Sequence, residues 1–241
     1  MGLNLDYTYL DFLATFGVGG AHPGGLQLTK ELLSREKIDE TTSILDAGCG
    51  TGQTSAYMAE QYRCNVTSLD CNKIMLDKAK QRFLPLHLPI EVKQGSTESL
   101  PFDEGVFDMI LSESVISFTD VSLTIPEFKR VLKPNGVLLA IEMVLEKSLS
   151  EEELKPIINF YGVSQLLTEK EWYNYFERAS FKQISAEKFK LQVDENDIQN
   201  ATDFSLSENI DDKLSEIFEK HMHFTTIYKD ILGFRLFRCC I

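Results

Sequence analysis

The sequence lacks an excess of positive charge, paired cysteines and any long apolar run. In 241 residues, 24 Lys and Arg stand against 37 Asp and Glu, a formal charge of −13. Nucleic-acid affinity is built largely from Lys and Arg neutralising phosphates, so no nucleic-acid partner is expected. No stretch approaches 18 uninterrupted apolar residues, which excludes a spanning helix. The five cysteines (Cys49, Cys64, Cys71, Cys239 and Cys240) contain no C-x-x-C pair, and their odd number argues against an oxidised framework. Met1–Leu10 has neither a basic stretch nor an apolar core, and Asp6 breaks the myristoylation pattern. The expectation is a protein of the reducing cytoplasm, off the membrane. His221-Met222-His223 looks like a metal pair, but residues two apart on a helix point away from each other, so no metal is expected.

What is present is ordinary globular chemistry: 43% hydrophobic, 10% aromatic and 25% charged residues. No repeat and no Pro/Gly-rich linker divides the chain, so residues 1–241 read as one domain, a monomer or a homodimer. Short apolar runs alternate with helical patterns from Thr42 to Met143, the signature of a parallel sheet covered by helices. Strands are expected at Ser43–Ala47, Asn65–Asp70, Ile90–Gln94, Phe107–Ser112 and Gly136–Glu142. Helices fall at Gln53–Tyr62, Asn72–Phe83 and about Thr124–Leu132, with Pro126 in the first turn of the last or kinking it. Beyond these come a helix at Thr168–Ala179, a strand at Phe181–Lys190, a helix at Asp211–Lys220 and a strand at Ile231–Ile241. The last two strands should form a hairpin-like antiparallel edge. Asp194–Asn209, rich in Asp, Asn, Ser and Glu, reads as a loop or disordered insert. The fold class is α/β, with a doubly wound, mostly parallel seven-stranded sheet and helices on both faces.

The segment with the most chemistry is Ile44-Leu45-Asp46-Ala47-Gly48-Cys49-Gly50-Thr51-Gly52, a buried strand running into a glycine turn and then a helix. Alternate glycines let the backbone turn sharply and approach a ligand that a Cβ would obstruct. The dinucleotide fingerprint G-x-G-x-x-G is not met, because the position of its last glycine is Gln53. Asp70 ends the second strand 18 residues past Gly52, where a carboxylate can accept bonds from two ribose hydroxyls.

These residues resemble the first motif of the class I S-adenosylmethionine-dependent methyltransferases, an acid followed by G-x-G-x-G. Gln94-Gly95-Ser96-Thr97-Glu98-Ser99-Leu100-Pro101-Phe102 is similar to the family's segment after strand three, commonly G-D-A-E-x-L-P-F, with Ser96 in place of the Asp. Phe107–Leu111 and Arg130–Gly136 resemble the fourth strand and the approach to the fifth. The likeness is to the small-molecule branch that includes quinone-biosynthesis C-methyltransferases and phosphoethanolamine N-methyltransferases. It implies a Rossmann-like sheet with residues 42–143 as cofactor core, 1–41 as a helical lid, and 144–241 as acceptor-side insert and final strands. It implies S-adenosylmethionine as cofactor and a small-molecule methyl acceptor, with a protein or RNA acceptor, or cofactor binding without catalysis, as the alternatives. Carried onto this sequence, Asp46 orders the loop and reaches the methionine end, while Gly48, Cys49, Gly50 and Gly52 shape the cradle. Asp70 holds the ribose, Cys71 and Met75 flank the adenine, and Ser96, Thr97, Glu98 and Ser112 border the site.

On the acceptor side, in-line methyl transfer needs alignment and water exclusion more than a base. Glu113, directly after the fourth strand, is placed for cofactor or acceptor contact, and N-P-P-Y is absent, which argues against nucleobase amines. Ala21-His22-Pro23-Gly24-Gly25 resembles the S-T-G-G stretch of phosphoethanolamine methyltransferases, so Gly24 and Gly25 would close over the methionine moiety. His22 is a candidate general base, the role that histidine most often fills. Tyr7, Tyr9, Phe12 and Phe16 form a lid or an amphipathic face, and Phe160, Tyr161, Trp172, Tyr173 and Tyr175 wall the acceptor pocket or pack.

Overall fold

The computed structural model describes residues 7–88, 90–189, 203–208 and 210–241. The central strands are β2 (Ser43–Ala47), β3 (Asn65–Asp70), β4 (Ile90–Gln94), β5 (Phe107–Glu113) and β6 (Leu132–Leu145), followed by β7 (Lys182–Glu187) and β9 (Leu232–Cys240). They form one seven-stranded sheet in the order β4-β3-β2-β5-β6-β9-β7. The pairs from β4 through β6 are parallel, and β9 runs antiparallel to both β6 and β7. The last two strands therefore pair antiparallel as expected, with the chain's final strand inserted between β6 and the edge strand β7. Parallel strands must be covered on both faces, which is why consecutive residues are apolar and buried at Ile44-Leu45 in β2 and Met109-Ile110-Leu111 in β5. Leu45, Ile110, Leu138 and Trp172 lie in the core on one face, and Ile44, Met109, Leu139 and Met58 in the core on the other.

The covering helices start where side chains satisfy their orphan amides. The Asn72 side chain accepts from Ile74 and Met75 at the start of α4 (Lys73–Phe83), and Asp120 caps α5 (Val121–Val131) through Ser122. Ser150 with Glu153 and Thr168 with Glu171 form capping boxes for α6 (Glu151–Tyr161) and α7 (Glu169–Arg178). α3 (Gln53–Tyr62) begins directly on the glycine turn. Because α5 opens at Asp120, earlier than the apolar pattern suggests, Pro126 lies in its middle and outside its first turn. β6 runs well beyond Gly136–Glu142 at both ends.

Outside the sheet, α1 (Tyr9–Phe16), β1 (Val18–Gly19) and α2 (Gly25–Ser34) form the N-terminal segment. α8 (Asp212–Ile227) extends past Lys220, so His221 and His223 sit within a helix and not at its end. Phe12, Phe160, Tyr161, Leu214, Ile217 and Phe224 form a third apolar cluster that joins α1, α6 and α8. The aromatics of α1 meet these helices directly, Tyr9 against Phe160 and Tyr161 and Phe12 against Phe218. Of the insert Asp194–Asn209, residues 194–202 and Asn209 lie outside the described residues, as does Lys190. Its described part is ordered: β8 (Asp203–Phe204) pairs antiparallel with β1.

Candidate active site

The strand order reverses direction between β2 and β5, and ligands of open α/β sheets bind at such a switch, beyond the strands' carboxyl ends. Three sequence-selected groups converge there: the glycine turn after β2, Asp70 at the end of β3 and Glu113 at the end of β5. Gly48, Gly50 and Gly52 all take left-handed backbone conformations, at φ of 85°, 52° and 76°. Their roles differ. A Cβ on Gly48 would overlap Val115, and one on Gly52 would lie 2.5 Å from the Phe83 ring, whereas one on Gly50 would meet nothing within 4 Å. Two glycines therefore serve packing, and Gly50 alone faces open space where a ligand's atoms can approach the backbone.

Asp70 is held beside this opening, one carboxylate oxygen accepting from Gly50 N (2.9 Å) and the other from Asn72 N (2.8 Å). Each oxygen keeps a lone pair for a further donor, such as a ribose hydroxyl. Burial raises its pKa above the usual carboxylate value, against the lowering effect of these amides. Asp46 is buried and accepts from Ser55 Oγ, which in turn accepts from Ser68 Oγ at 2.6 Å. Burial first, and the charge of Glu113 second, push its pKa up to about 7. A cation placed beside it would favour the ionised form again.

Glu113 and His22, picked separately from segments 91 residues apart, touch each other: His22 Nε2 lies 3.4 Å from Glu113 Oε1 with both side chains buried. Thr29 of α2 donates to the same oxygen, and Thr54 of α3 donates to the other at 2.8 Å. The His22 Nδ1 faces Pro23 O at 3.2 Å. This cluster ties the N-terminal segment to the core next to the glycine turn. Gly24 and Gly25 are left-handed and open α2, bringing His22 to it.

The remaining selected residues form the rim. Ser96 Oγ accepts from Glu98 N, Thr97 lies 3.5 Å from Thr124, and Glu98 accepts from the Asp120 amide at 2.7 Å. Glu98 is thereby committed to joining two loops. Cys71 is exposed just before α4 and Met75 is buried on it, while burial holds the Cys49 thiol well above its ordinary pKa, the opposite of what activates a thiol as nucleophile. Ser112 Oγ is buried with no hydrogen-bond partner among the described residues, and so is Thr51 Oγ1 in the glycine turn. Buried hydroxyls are normally satisfied. An orphan in the turn, beside the open face of Gly50 and a half-used carboxylate, fits a cofactor rich in hydroxyl and amine groups.

The sequence suggested a lid in residues 1–41 but not the contacts that bring Gly19, Gly20 and the β1–β8 ribbon over this turn. Gly19 and Gly20 pass so close to Gln53 and Thr51 that added Cβ atoms would stand 3.0–3.3 Å from their side chains. Two α4 cations hold that roof: Lys78 donates to the carbonyls of Thr15 (3.1 Å) and Ser205, and Arg82 donates to Thr51 O (2.9 Å) and pairs with Asp203. Their i, i+4 spacing was visible, but their acceptors are up to 127 residues away. The aromatic expectations divide. Trp172 is buried in the sheet core and donates to Met143 O, and Tyr173 packs against that core. Tyr161 pairs with His221 Nδ1 at 3.2 Å, below the Tyr9 ring, in the cluster under α1. Among the described residues no group of three or more metal-ligating side chains occurs, and no helix is long and apolar enough to cross a membrane.

The comparisons agree with this geometry. A family described as methyltransferase domain matches residues 45–140. The chain is 38% identical over 229 residues to an uncharacterised methyltransferase, YodH, of Bacillus subtilis, covering 95% of this chain and 97% of that one. It is 27% identical over 179 residues to phosphoethanolamine N-methyltransferase 1 of Triticum aestivum, covering 74% of this chain but 36% of that protein. Among solved structures, phosphoethanolamine N-methyltransferase 2 of Haemonchus contortus in complex with S-adenosyl-L-methionine superposes with a TM-score of 0.75 at 19% identity, over 98% of this chain and 58% of that one. With the glycine turn, the acid ending β3 and the seven-stranded sheet in place, the chain belongs to the class I S-adenosylmethionine-dependent methyltransferases.

Proposed function

We propose that the chain transfers the methyl group to a small-molecule acceptor. The observation that carries this is the roof: the N-terminal segment and the β1–β8 ribbon lie over the glycine turn and are bonded to the core by Lys78, Arg82 and the His22–Glu113 cluster. A covered site suits an acceptor that can be enclosed, and relatives named for phosphoethanolamine point the same way. The net charge of −13 disfavours nucleic acid.

S-adenosylmethionine, when bound, supplies an activated methyl on a sulfonium. The protein's part is alignment and exclusion of water. In this reading Asp70 and the open face of Gly50 hold the adenosine half, with Cys71, Met75, Ser96 and Thr97 at its rim. Asp46 and the Thr51 hydroxyl serve the amino-acid half, near the negative charge of Glu113. His22, with both ring nitrogens facing acceptors or Thr29, braces Glu113; Glu113 is the carboxylate placed to take a proton if the acceptor must lose one. Residues 1–41 act as lid and 144–241 supply the acceptor side.

The test is incubation of the purified chain with methyl-labelled S-adenosylmethionine and a cell extract separated into small-molecule, protein and RNA fractions. Label is expected in the small-molecule fraction. Label confined to protein or RNA would refute the reading.

A further inference from the structure

Within β6, the run Val137-Leu138-Leu139-Ala140-Ile141-Glu142-Met143-Val144-Leu145 carries one carboxylate among apolar residues. Glu142 is fully buried. Its Oε1 accepts from Val115 N (3.1 Å) and Ile116 N (2.9 Å), and its Oε2 from Ser117 N (3.2 Å) and Ser117 Oγ (2.7 Å). No cation pairs with it among the described residues; Arg235, opposite it in the ladder, turns to Glu146 and Glu169. Burying a carboxylate without a counter-ion is costly, so its four donors must be what retains it. Burial pushes its pKa up to about 7 in spite of them.

The turn it holds begins immediately after Glu113. Ser114 takes φ +58°, a left-handed conformation unfavourable for a residue with a Cβ, and its amide donates to Ile141 O at 2.7 Å. Such strain persists where neighbours over-determine the backbone. The next residue, Val115, packs its methyls into the position a Cβ on Gly48 would occupy. Gly48 and Cys49 in turn donate to Leu69 O, next to Asp70. We propose that Glu142 is a positioning residue of the cofactor site, fixing the turn after β5 and, through Val115, the glycine turn after β2. The inference rests on reading the glycine turn as the cofactor cradle.

S-adenosylhomocysteine is the probe, titrated calorimetrically into the full chain, with thermal melting measured in parallel. Glu142→Gln replaces one acceptor oxygen by a donor facing backbone N–H groups. Val115→Ala leaves all four Glu142 bonds in place and removes the methyls from Gly48. Both folded variants are expected to bind the probe at least fivefold more weakly than the unaltered chain. A smaller change in either would overturn the inference, whatever the melting temperature does, because a merely structural carboxylate would leave the affinity of folded molecules alone. If Glu142→Gln does not fold, Val115→Ala decides by the same criterion. Absence of binding by the unaltered chain would overturn the cradle reading and the inference together; normal binding with unchanged variants overturns the inference alone.

Discussion

The three glycines of the turn make opposite demands, and substituting each by Ala separates them. At Gly50 the added methyl meets no protein atom within 4 Å, so the cost to folding is the left-handed backbone at φ 52°. That is about 1–2 kcal/mol, or roughly 2–8 °C in Tm for a chain of this size. At Gly48 the methyl overlaps Val115, and at Gly52 it stands 2.5 Å from Phe83 Cζ and 3.0 Å from Ala79 Cβ. Overpacking adds about 1–3 kcal/mol to the backbone term, for a total of about 2–5 kcal/mol. Binding should follow the reverse order, since only the Gly50 methyl projects into the cradle. The assay is thermal melting with and without S-adenosylhomocysteine. At a ligand concentration 100 times Kd the unaltered protein should gain about 2.7 kcal/mol, and Gly50→Ala should lose most of that gain. Gly50→Ala that melts near the unaltered protein and keeps the full ligand shift would refute the assignment of its open face.

Asp70→Ala strips Gly50 N and Asn72 N of their acceptor and should weaken S-adenosylhomocysteine binding by about 1–3 kcal/mol; unchanged affinity by calorimetry would reject the ribose assignment. Asp46, with its folded pKa raised to about 7, contributes stability that is complete below the usual carboxylate range and is lost as pH rises to about 7. Glu142 adds a loss of the same sign, so the reading is a difference: Asp46→Asn should flatten the fall between pH 4 and 7 by on the order of 3–4 kcal/mol, and parallel denaturation profiles would count against it. Lys78→Met removes the ammonium from the carbonyls of Thr15 and Ser205 and should speed both S-adenosylhomocysteine release and amide exchange in residues 15–19. Equal rates in stopped-flow would show that the roof does not gate the site.

What was legible in the sequence is what short-range geometry dictates. Asp46 through Gly52 is a strand, a turn and a helix start in consecutive residues, and Asp70 lies one helix further on, so β2, β3 and the cradle between them follow from local pattern. Helix limits were less legible where a cap overrode the apolar pattern, as at Asp120 ahead of α5. The joining of His22 to Glu113 was out of reach: nothing in either segment encodes a contact made only when α2 packs beside α3. β8 was hidden differently, since Asp203-Phe204 has no strand-like pattern of its own and its place beside β1 depends on long-range bonds, from Ser205 and Ser207 amides to Gly17 and Thr15 carbonyls and from Lys78 and Arg82 to Ser205 and Asp203.

Glu142 marks the boundary between these cases. Its signal was available, a single carboxylate in an apolar strand, and the physical rule that buried charge must be satisfied says such a residue has a task. What the strand could not reveal is the identity of the donors, because the turn at 115–117 is brought over it by the pairing of β5 with β6. The proposed cofactor cradle, Asp46 to Gly52 with Asp70, is encoded within the chain segments that form it. The roof over the turn and the apolar cluster beside it are encoded in seams between distant segments: α4 against the β1–β8 ribbon, and α1 against α6 and α8. On the proposed acceptor side, choice of acceptor should therefore respond to substitutions along those seams, while substitutions in the glycine turn should change stability and cofactor affinity and leave acceptor choice unchanged.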